Sequence, residues 1–301
     1  MSNEATKAGF VAVIGAPNAG KSTLVNHLVG VKVSIVTHKV QTTRTRIRGV
    51  CMHGASQIIF VDTPGIFEPK RKLDRAMVEA AWLGADDADL IVFLYDVTRR
   101  EIDSDTSRIL SGLKNTNKEA ILVLNKIDLV KSELLLPITK RFQKENIFSD
   151  TFMISAENGS GCEKLLEYLS ARMPDSPWLY PEDEVSDLPQ RLLAAEITRE
   201  QLLLKLHQEL PYGATVETEE WSERDDGAIV INQIIYVQRP GHKKIALGRH
   251  GSMIKAIGKA SRHELQVLLN RTVHLFLFVK VRENWMEDPD RYALWGLDPN
   301  A

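Results

Sequence analysis

The chain has 301 residues, a formal net charge of -2, 44% hydrophobic residues and 26% charged residues. This length favours two domains, and the composition excludes a collagen-like, disordered or disulfide-scaffolded chain. The near-neutral charge excludes a global electrostatic attraction to nucleic acid or membrane, so any such attraction must be local.

The first half of the sequence alternates short apolar runs with segments of helical periodicity. The predicted strands cover residues 10–15, 58–63, 90–97, 120–128 and 151–155. Their continuous apolar character is typical of strands buried on both faces of a parallel sheet. Between them, segments such as 73–88 and 163–173 repeat apolar residues at helical spacing. We therefore predict an α/β domain over residues 1–178, with a mostly parallel sheet flanked by helices.

The second half has a different pattern. Residues 173–190 contain four prolines and five acidic residues, and we place a linker at 179–190. Residues 191–301 predict a smaller α+β domain. Its predicted elements, in order, are a long helix ended by Pro211, antiparallel strands at 215–224 and 228–238, a basic glycine loop from 239, a helix at 252–270 and a strand at 273–284.

The stretch "GAPNAGKST", residues 15–23, matches G-x-x-x-x-G-K-[ST] between a predicted strand and a predicted helix. Backbone N–H groups from Gly15 to Lys21 can surround a β-phosphate, and Lys21 can reach the β and γ oxygens. Ser22 offers a hydroxyl to Mg²⁺. The stretch "DTPG", residues 62–65, ends the next predicted strand, so Asp62 can hold Mg²⁺ through water and the Gly65 amide can meet a γ-phosphate.

Two later motifs indicate which base is bound. In "NKID", residues 125–128, the Asp128 carboxylate can accept two hydrogen bonds from guanine, which adenine cannot donate. Lys126 can lie over the base, and Asn125 can tie this segment to the phosphate loop. In "SAENGSG", residues 155–161, the Ala156 amide can face the guanine carbonyl oxygen.

These motifs, in this order, resemble those of the translation-factor-related GTPases. By that resemblance residues 41–47 are the first switch, where Thr43 binds Mg²⁺ in the GTP state and Thr42 is the alternative. Many GTPases place a Gln directly after the DxxG glycine, but this chain has Ile66, so we assign no general base and expect slow intrinsic hydrolysis. Relatives with a PNxGKS loop use an Asn at the position of Asn18 to bind K⁺, which makes K⁺ a further candidate ion.

The predicted site residues are as follows. The catalytic residues are Lys21, Thr43 and Gly65. The residues that bind GTP or GDP are Gly15, Ala16, Pro17, Asn18, Ala19, Gly20, Lys21, Ser22, Thr23, Thr42, Thr43, Asp62, Thr63, Pro64, Gly65, Asn125, Lys126, Asp128, Ser155, Ala156 and Glu157. The Mg²⁺ ligands are Ser22, Thr43 and Asp62, and Asn18 is the K⁺ candidate.

A basic segment stands out in the second half. Residues 239–262 contain seven Lys or Arg and no acid, whereas six acids fall within 217–226. Such segregation of charge is required of a phosphate-binding face. Within the basic segment, "GRHG" at 248–251 has the G-x-x-G spacing of KH domains, whose bare loop lets a nucleic-acid backbone approach. The predicted order of elements resembles the type II KH arrangement.

The predicted RNA-binding residues are Lys243, Lys244, Gly248, Arg249, His250, Gly251, Ser252, Met253, Lys255 and Lys259. Candidate groove residues are Ile245, Leu247, Met253, Ile254 and Ile257, most of which we expect to belong to the core.

A GTPase domain followed by a type II KH domain resembles the bacterial Era-type GTPases along nearly the whole chain. The likeness rests on "GAPNAGKSTLVNHLVG", "QTTRTR", "DTPGI", "NKID", "LAAEITREQLL" and "GSMIKAIG". It implies binding to the 3′ region of 16S rRNA, assistance to assembly of the small ribosomal subunit and a monomer, with peripheral association with the inner membrane in some members. One departure is His250, where relatives usually have Gly.

Two alternatives stay open on the sequence. One is a nucleotide switch whose second domain binds a protein partner, and the other is a P-loop small-molecule kinase.

The N-terminal residues lack a basic region followed by an apolar core, and no apolar run is long enough to span a bilayer, so we expect a cytoplasmic protein. Cys51 and Cys162 lie far apart and form no CxxC pair, which favours two reduced thiols over a zinc or redox site.

Overall fold

The computed structural model describes residues 6–99, 101–206 and 213–300. The chain divides into two compact units. Unit 1 comprises Met1–Ser34, Thr43–Asp187 and Tyr292–Ala301, and unit 2 comprises Ile35–Thr42 and Leu188–Arg291.

Unit 1 is built on a six-stranded sheet in the order β2-β3-β1-β4-β5-β6. Its strands are β1 (Lys7–Ile14), β2 (Ile47–His53), β3 (Ser56–Asp62), β4 (Leu90–Asp96), β5 (Ala120–Asn125) and β6 (Phe148–Met153). All neighbouring pairs are parallel except β2 with β3. The central strands are buried on both faces, as their apolar sequences require. The predicted α/β fold is confirmed.

Helices cover both faces of this sheet. They are α1 (Lys21–Val29), α2 (Lys72–Asp87), α3 (Ser104–Leu113), α4 (Leu135–Gln143) and α5 (Cys162–Arg172). One core cluster joins the sheet to α1 and α5, with Phe60 and Leu165 fully buried. A second joins the opposite face to α2, α3 and α4, with Phe93 and Phe142 in edge-to-face contact. The two cores hold the carboxyl ends of the parallel strands in place, where ligands of such sheets bind.

The structure corrects two predictions in unit 1. Strand β2 was not predicted. It is joined to β3 as a hairpin by the two-residue turn 54–55, in which Gly54 has a φ of 58°. The predicted strand at 120–128 is too long, because β5 ends at Asn125 and Lys126 adopts a left-handed conformation with a φ of 67°. A short 3-10 helix, Ile127–Leu129, follows, so "NKID" lies in the loop after the strand.

Unit 2 contains a three-stranded sheet in the order β7-β8-β9, with β7 and β8 antiparallel and β8 and β9 parallel. Its elements are α6 (Gln190–Lys205), β7 (Ala214–Glu223), β8 (Ile229–Val237), α7 (Pro240–Leu247), α8 (Ser252–Leu269) and β9 (Val273–Val281). Buried residues of α6, α8 and the sheet form its core, with Leu202, Ile257 and Ile235 fully buried. The short helix α9 (Pro289–Leu294) follows. The predicted helix end at Pro211 lies outside the described residues.

The prediction of one long basic loop from residue 239 is wrong, because residues 240–247 form α7. "RPG" suggests a turn, but a proline fits the first position of a helix, where its missing N–H costs nothing. Pro240 occupies that position, and α7 ends at Gly248, which has a φ of 72°. The G-x-x-G stretch is thus a tight turn between two helices, as the KH resemblance requires.

Candidate functional site

The phosphate loop lies between β1 and α1, and side chains bind its backbone carbonyls one after another. Lys21 Nζ donates to the carbonyls of Gly15 and Ala16, both at 3.1 Å. The next three carbonyls, those of Pro17, Asn18 and Ala19, accept from Arg99, Lys126 and Asn125 respectively, each at 2.8 Å. Because these carbonyls are engaged, the loop can offer its N–H groups to an anion, as phosphate-binding turns do.

A cluster of hydroxyls surrounds the buried Asp62 carboxylate. Its Oδ2 accepts from Ser34 Oγ at 2.6 Å, from Ser22 Oγ at 2.7 Å and from Thr43 Oγ1 at 3.4 Å. Its Oδ1 is buried and has no hydrogen-bond partner in the part of the chain that the structure describes. Burial raises the pKa of Asp62, against the lowering effect of the Ser34 and Ser22 hydroxyls. Carboxylate and hydroxyl oxygens with a free buried acceptor fit Mg²⁺, a hard cation that prefers oxygen ligands.

The two threonines of the predicted first switch lie in different places. Thr43 is buried in the Asp62 cluster, and its Oγ1 lies 2.9 Å from Ser22 Oγ. Thr42 Oγ1 instead donates to the Lys39 carbonyl at 2.7 Å and lies 2.6 Å from Thr37 Oγ1. This geometry brings Thr43, rather than Thr42, to the predicted Mg²⁺ ligands.

The residues that follow β3 pack directly against the phosphate loop. A Cβ atom added to Gly65 would lie 3.0 Å from Pro17 N and from Pro17 Cγ, so only glycine allows this approach. The Ile66 amide donates to the Gly15 carbonyl at 3.1 Å, and its side chain is fully buried. Thr63 Oγ1 donates to the Val13 carbonyl of β1 at 2.8 Å, so this hydroxyl is engaged within the sheet. Because the Ile66 side chain is apolar and its amide is already bonded to Gly15, Ile66 offers no polar group to a water molecule.

Burial governs the charge of Lys21. Desolvation lowers the pKa of its ammonium group to about 8, against the raising effect of Asp62, and the positive charge of Arg99 lowers it further. A phosphate anion placed beside this buried cation would replace the lost hydration and favour the charged form.

Asn125 connects the candidate base site to the phosphate loop, as predicted. Its Nδ2 donates to Ala19, and its Oδ1 accepts from the Ala156 amide at 2.9 Å. The predicted contact of that amide with a guanine carbonyl stays a prediction. Lys126 Nζ also binds Asp96 Oδ2 at 2.6 Å, which fixes the long side chain. Asp128 is exposed, so its carboxylate is accessible to a ligand.

In unit 2, the basic residues lie along α7, the "GRHG" turn and α8. Lys244, Arg249, His250, Lys255 and Lys259 are exposed, and none of them forms an ion pair within the described residues. His250 has a φ of 52°, between Gly248 and Gly251 at 72° and 75°. The acids of β7 lie at the sheet edge opposite β9, the strand that α7 packs against. The turn is therefore a locally cationic surface.

The candidate groove residues divide as the sequence suggested. Ile257 is fully buried, and Leu247, Met253 and Ile254 are partly buried against the unit 2 core. Ile245 is 54% exposed, which makes it the apolar side chain of this set that is most accessible to a base.

Residues 35–42 belong to unit 2, which the sequence did not indicate. The Val36 amide donates to Glu200 Oε1 at 2.7 Å, and Lys39 Nζ donates to the Leu206 carbonyl. Arg199, which is 1% exposed, donates to the Thr42 carbonyl and binds Glu196. This segment, which includes residues 41 and 42 of the predicted first switch, is thus bound to α6 and the residue that follows it.

Two family models match the chain, a 50S ribosome-binding GTPase model at residues 10–126 and a KH domain model at residues 209–286. The fold and the site thus define a P-loop GTPase with a KH domain. The GTPase Era of Rhizobium meliloti (strain 1021) is 60% identical over 97% of this chain and 93% of its own length. The GTPase Era of Caulobacter vibrioides (strain NA1000 / CB15N) is 54% identical over 97% of both chains. The chain belongs to the GTPase Era family.

Solved structures agree with this assignment. A structure of Era in complex with MgGDPNP and nucleotides 1506–1542 of 16S ribosomal RNA matches with a TM-score of 0.91 and 39% identity, over 97% of this chain and 99% of that one. A variant of Aquifex aeolicus Era bound to GDP.AlF4- matches with the same values. The predicted GTPase activity, KH domain and family resemblance are confirmed, and the small-molecule kinase alternative is wrong. Within the described residues, no helix is long and apolar enough to cross a membrane.

Proposed function

We propose that this chain is a GTP-dependent switch that binds the 3′ region of 16S rRNA through its KH domain and assists assembly of the small ribosomal subunit. The observation that carries the RNA assignment is the exposed, cationic "GRHG" turn at the start of α8, free of neutralising carboxylates within the described residues. The solved Era complex with 16S nucleotides supports the choice of RNA.

For the nucleotide, we propose that GTP and GDP bind at the phosphate loop and the "NKID" and "SA" segments, through the residues predicted above. Lys21 neutralises phosphate charge, and Ser22, Thr43 and Asp62 hold Mg²⁺. Bound Mg²⁺ supplies further neutralisation of the phosphates. The Gly65 amide meets the γ-phosphate, and no side chain serves as general base, because Ile66 occupies the position after Gly65.

A substitution pair at Thr43 tests the nucleotide site. Thr43→Val keeps the shape and removes the hydroxyl, whereas Thr43→Ser keeps the hydroxyl. We expect Thr43→Val to bind GDP normally and to lose most GTP hydrolysis in single-turnover assays, with Thr43→Ser close to wild type. Thr42→Val is the control and should hydrolyse GTP normally. Equal rates for Thr43→Val and Thr43→Ser would contradict the assignment.

A substitution pair at Gly251 tests the RNA site. Asp and Asn are the side chains that best tolerate a left-handed backbone, and space at Gly251 is open, with Lys255 Cε at 3.9 Å. Gly248 is unsuitable, because a Cβ there would lie 2.7 Å from the Met253 amide. Gly251→Asp and Gly251→Asn therefore differ in charge alone.

Binding is measured by fluorescence anisotropy with a single-stranded RNA that has the sequence of the 3′ end of the 16S rRNA. We expect Gly251→Asp to bind about tenfold more weakly than Gly251→Asn at low salt, with the difference shrinking as salt screens the charge. Equal affinities would overturn the assignment. Measurements with GDP and with a non-hydrolysable GTP analogue then show whether the nucleotide controls RNA binding.

We further propose domain boundaries at 1–178, 179–190 and 191–301, a monomeric state and a cytoplasmic location with peripheral association with the inner membrane. K⁺ binding at Asn18 belongs to the same proposal. Sedimentation of the purified chain with and without vesicles of inner-membrane lipid composition measures both the oligomeric state and the membrane association.

A further inference from the structure

Arg99 lies in the loop after β4, outside every motif that the sequence singled out. We propose that Arg99 is a positioning residue for GTP hydrolysis, which holds Pro17 against Gly65 at the γ-phosphate end of the site. The inference rests on the proposed role of the Gly65 amide.

Arg99 is anchored through both its backbone and its guanidinium. Its amide donates to the Asp96 carbonyl at 3.1 Å, and its carbonyl accepts from Tyr95 Oη at 3.3 Å. Its guanidinium binds Asp103, which also caps α3 by accepting from the Thr106 amide at 2.8 Å. The planar guanidinium is therefore fixed by a carboxylate that is itself fixed by a helix.

The fixed guanidinium binds the phosphate loop. Arg99 Nη2 donates to the Pro17 carbonyl at 2.8 Å. Other atoms of Pro17 are against Gly65, whose added Cβ would lie 3.0 Å from Pro17 N. A shift of Pro17 would therefore change the space that the Gly65 backbone occupies. A displacement of about 1 Å at such a point is enough to slow a reaction that depends on positioning.

Arg99 differs from the other side chains that bind this loop in the carbonyl that it contacts. Lys21, Lys126 and Asn125 bind the carbonyls of residues 15, 16, 18 and 19. In the proposed nucleotide site these residues lie at the phosphates and base that GDP and GTP share, and Lys21 also reaches the γ-phosphate. Among the described residues, Arg99 is the side chain that donates to the Pro17 carbonyl. Pro17 packs against Gly65, whose amide is proposed to contact the γ-phosphate, a group that GTP has and GDP lacks. The loss of Arg99 should affect hydrolysis more than GDP binding.

The test compares four variants of the full chain with wild type. Arg99→Gln removes the charge, and Arg99→Lys retains one donor. Asp103→Asn removes the anchor while keeping a side chain that can cap α3. Arg108→Gln, at an exposed position on the same helix, is the charge-matched control. Single-turnover GTP hydrolysis and the Kd of a fluorescent GDP are measured for each.

We expect Arg99→Gln to hydrolyse GTP about tenfold more slowly with a GDP Kd within about twofold of wild type, a pattern that marks an interaction needed in the reaction rather than in binding. Arg99→Lys should recover part of the rate, Asp103→Asn should fall between Arg99→Gln and wild type, and Arg108→Gln should match wild type. The retained GDP affinity also shows that each variant is folded.

Two results would overturn the inference. Hydrolysis by Arg99→Gln at the wild-type rate would show that Pro17 is held without it. A parallel loss of GDP affinity and hydrolysis would make Arg99 a general support of the loop. A different result would contradict the proposed function itself and the inference with it. In that result, the wild-type and Arg99→Gln chains both bind GTP and neither hydrolyses it.

Discussion

The Ser34 hydroxyl donates to Asp62 Oδ2 at 2.6 Å, and both residues are almost completely buried. Ser34 directly precedes the segment 35–42 of unit 2, so the hydroxyl lies where the chain leaves unit 1. A hydrogen bond to a buried carboxylate both satisfies the charge and fixes its orientation.

We expect Ser34→Ala to weaken Mg²⁺ binding, so that GDP binding requires more Mg²⁺. A hydrogen bond to a charged group contributes about 1.5–3 kcal/mol, and loss of part of it should raise the Mg²⁺ concentration for half-maximal GDP retention by roughly fivefold to tenfold. GDP dissociation is followed by fluorescence across a Mg²⁺ titration. Ser34→Thr keeps the hydroxyl and serves as the control, so identical titrations for the two variants would contradict this role.

Asp128→Asn should change the base that the site accepts. In the proposed site the Asp128 carboxylate accepts from the guanine N1–H and amino groups, whereas an Asn amide can donate to the 2-carbonyl of xanthine. We expect GDP affinity to fall by at least about a hundredfold, because unpaired polar groups in such sites are strongly rejected. XDP affinity should rise. Competition of both nucleotides against fluorescent GDP measures the change, and unchanged selectivity would place the base elsewhere.

Asn18 lies in the phosphate loop with a φ of 62°, and we propose that its side-chain amide helps to bind K⁺ there. We expect GTP hydrolysis to be several-fold faster in KCl than in NaCl of equal ionic strength, since a bound cation adds positive charge where charge develops. Asn18→Gly tolerates the positive φ and removes the amide oxygen, so it should lose the difference. Equal wild-type rates in the two salts would exclude K⁺ activation.

His250→Gly tests whether the imidazole contacts RNA. A left-handed conformation costs a non-glycine residue about 1–2 kcal/mol, and glycine loses about 0.4–1 kcal/mol through chain entropy, so stability should rise by at most about 1.6 kcal/mol. If the exposed ring stacks on a base, RNA affinity should fall by about tenfold, since stacking contributes about 1–3 kcal/mol. His250→Asn, which tolerates this backbone without a ring, should fall equally. Unchanged affinity in both would make His250 a spacer.

The two thiols should be unreactive at neutral pH. Burial raises the pKa of Cys51 to about 11, with a smaller contribution from Glu163, and burial raises the pKa of Cys162 to about 11. Because only the thiolate attacks, about one thiol in a thousand is reactive at pH 8, and the rate should rise about tenfold per pH unit toward pH 11. Modification by a thiol reagent in native buffer and in urea measures this. Rapid modification of the native chain at pH 7 would contradict it.

The sequence predicted the central strands β3, β4 and β5 because they are apolar runs buried on both faces, a pattern that does not depend on distant partners. It missed β2 because an edge strand such as "IRGVCMH" has mixed composition and acquires its structure by pairing with β3. It missed α7 because its Pro-Gly start has the composition of a turn, whereas packing against α8 and β9 makes it helical.

The candidate site shows the same division. Lys21, Asp62 and Asn125 were predicted because each belongs to a motif with fixed spacing. Ser34 and Arg99 were not predicted, because a single serine or arginine in a loop has no spacing that distinguishes it. Their roles depend on the approach of segments 28 and 82 residues away along the chain, which only the folded structure shows.

Residues 35–42 leave unit 1 at Ser34 and return at Thr43, and in between they bind the end of α6 through Glu200 and Arg199. No single cleavage of the chain can therefore yield both units intact. A fragment that ends near residue 187 keeps these eight residues but lacks the helix that accepts and donates their hydrogen bonds. Activity measured on such a fragment would describe a chain in which residues 35–42, including the start of the predicted first switch, lack their normal support, so the nucleotide chemistry is properly studied in the full chain.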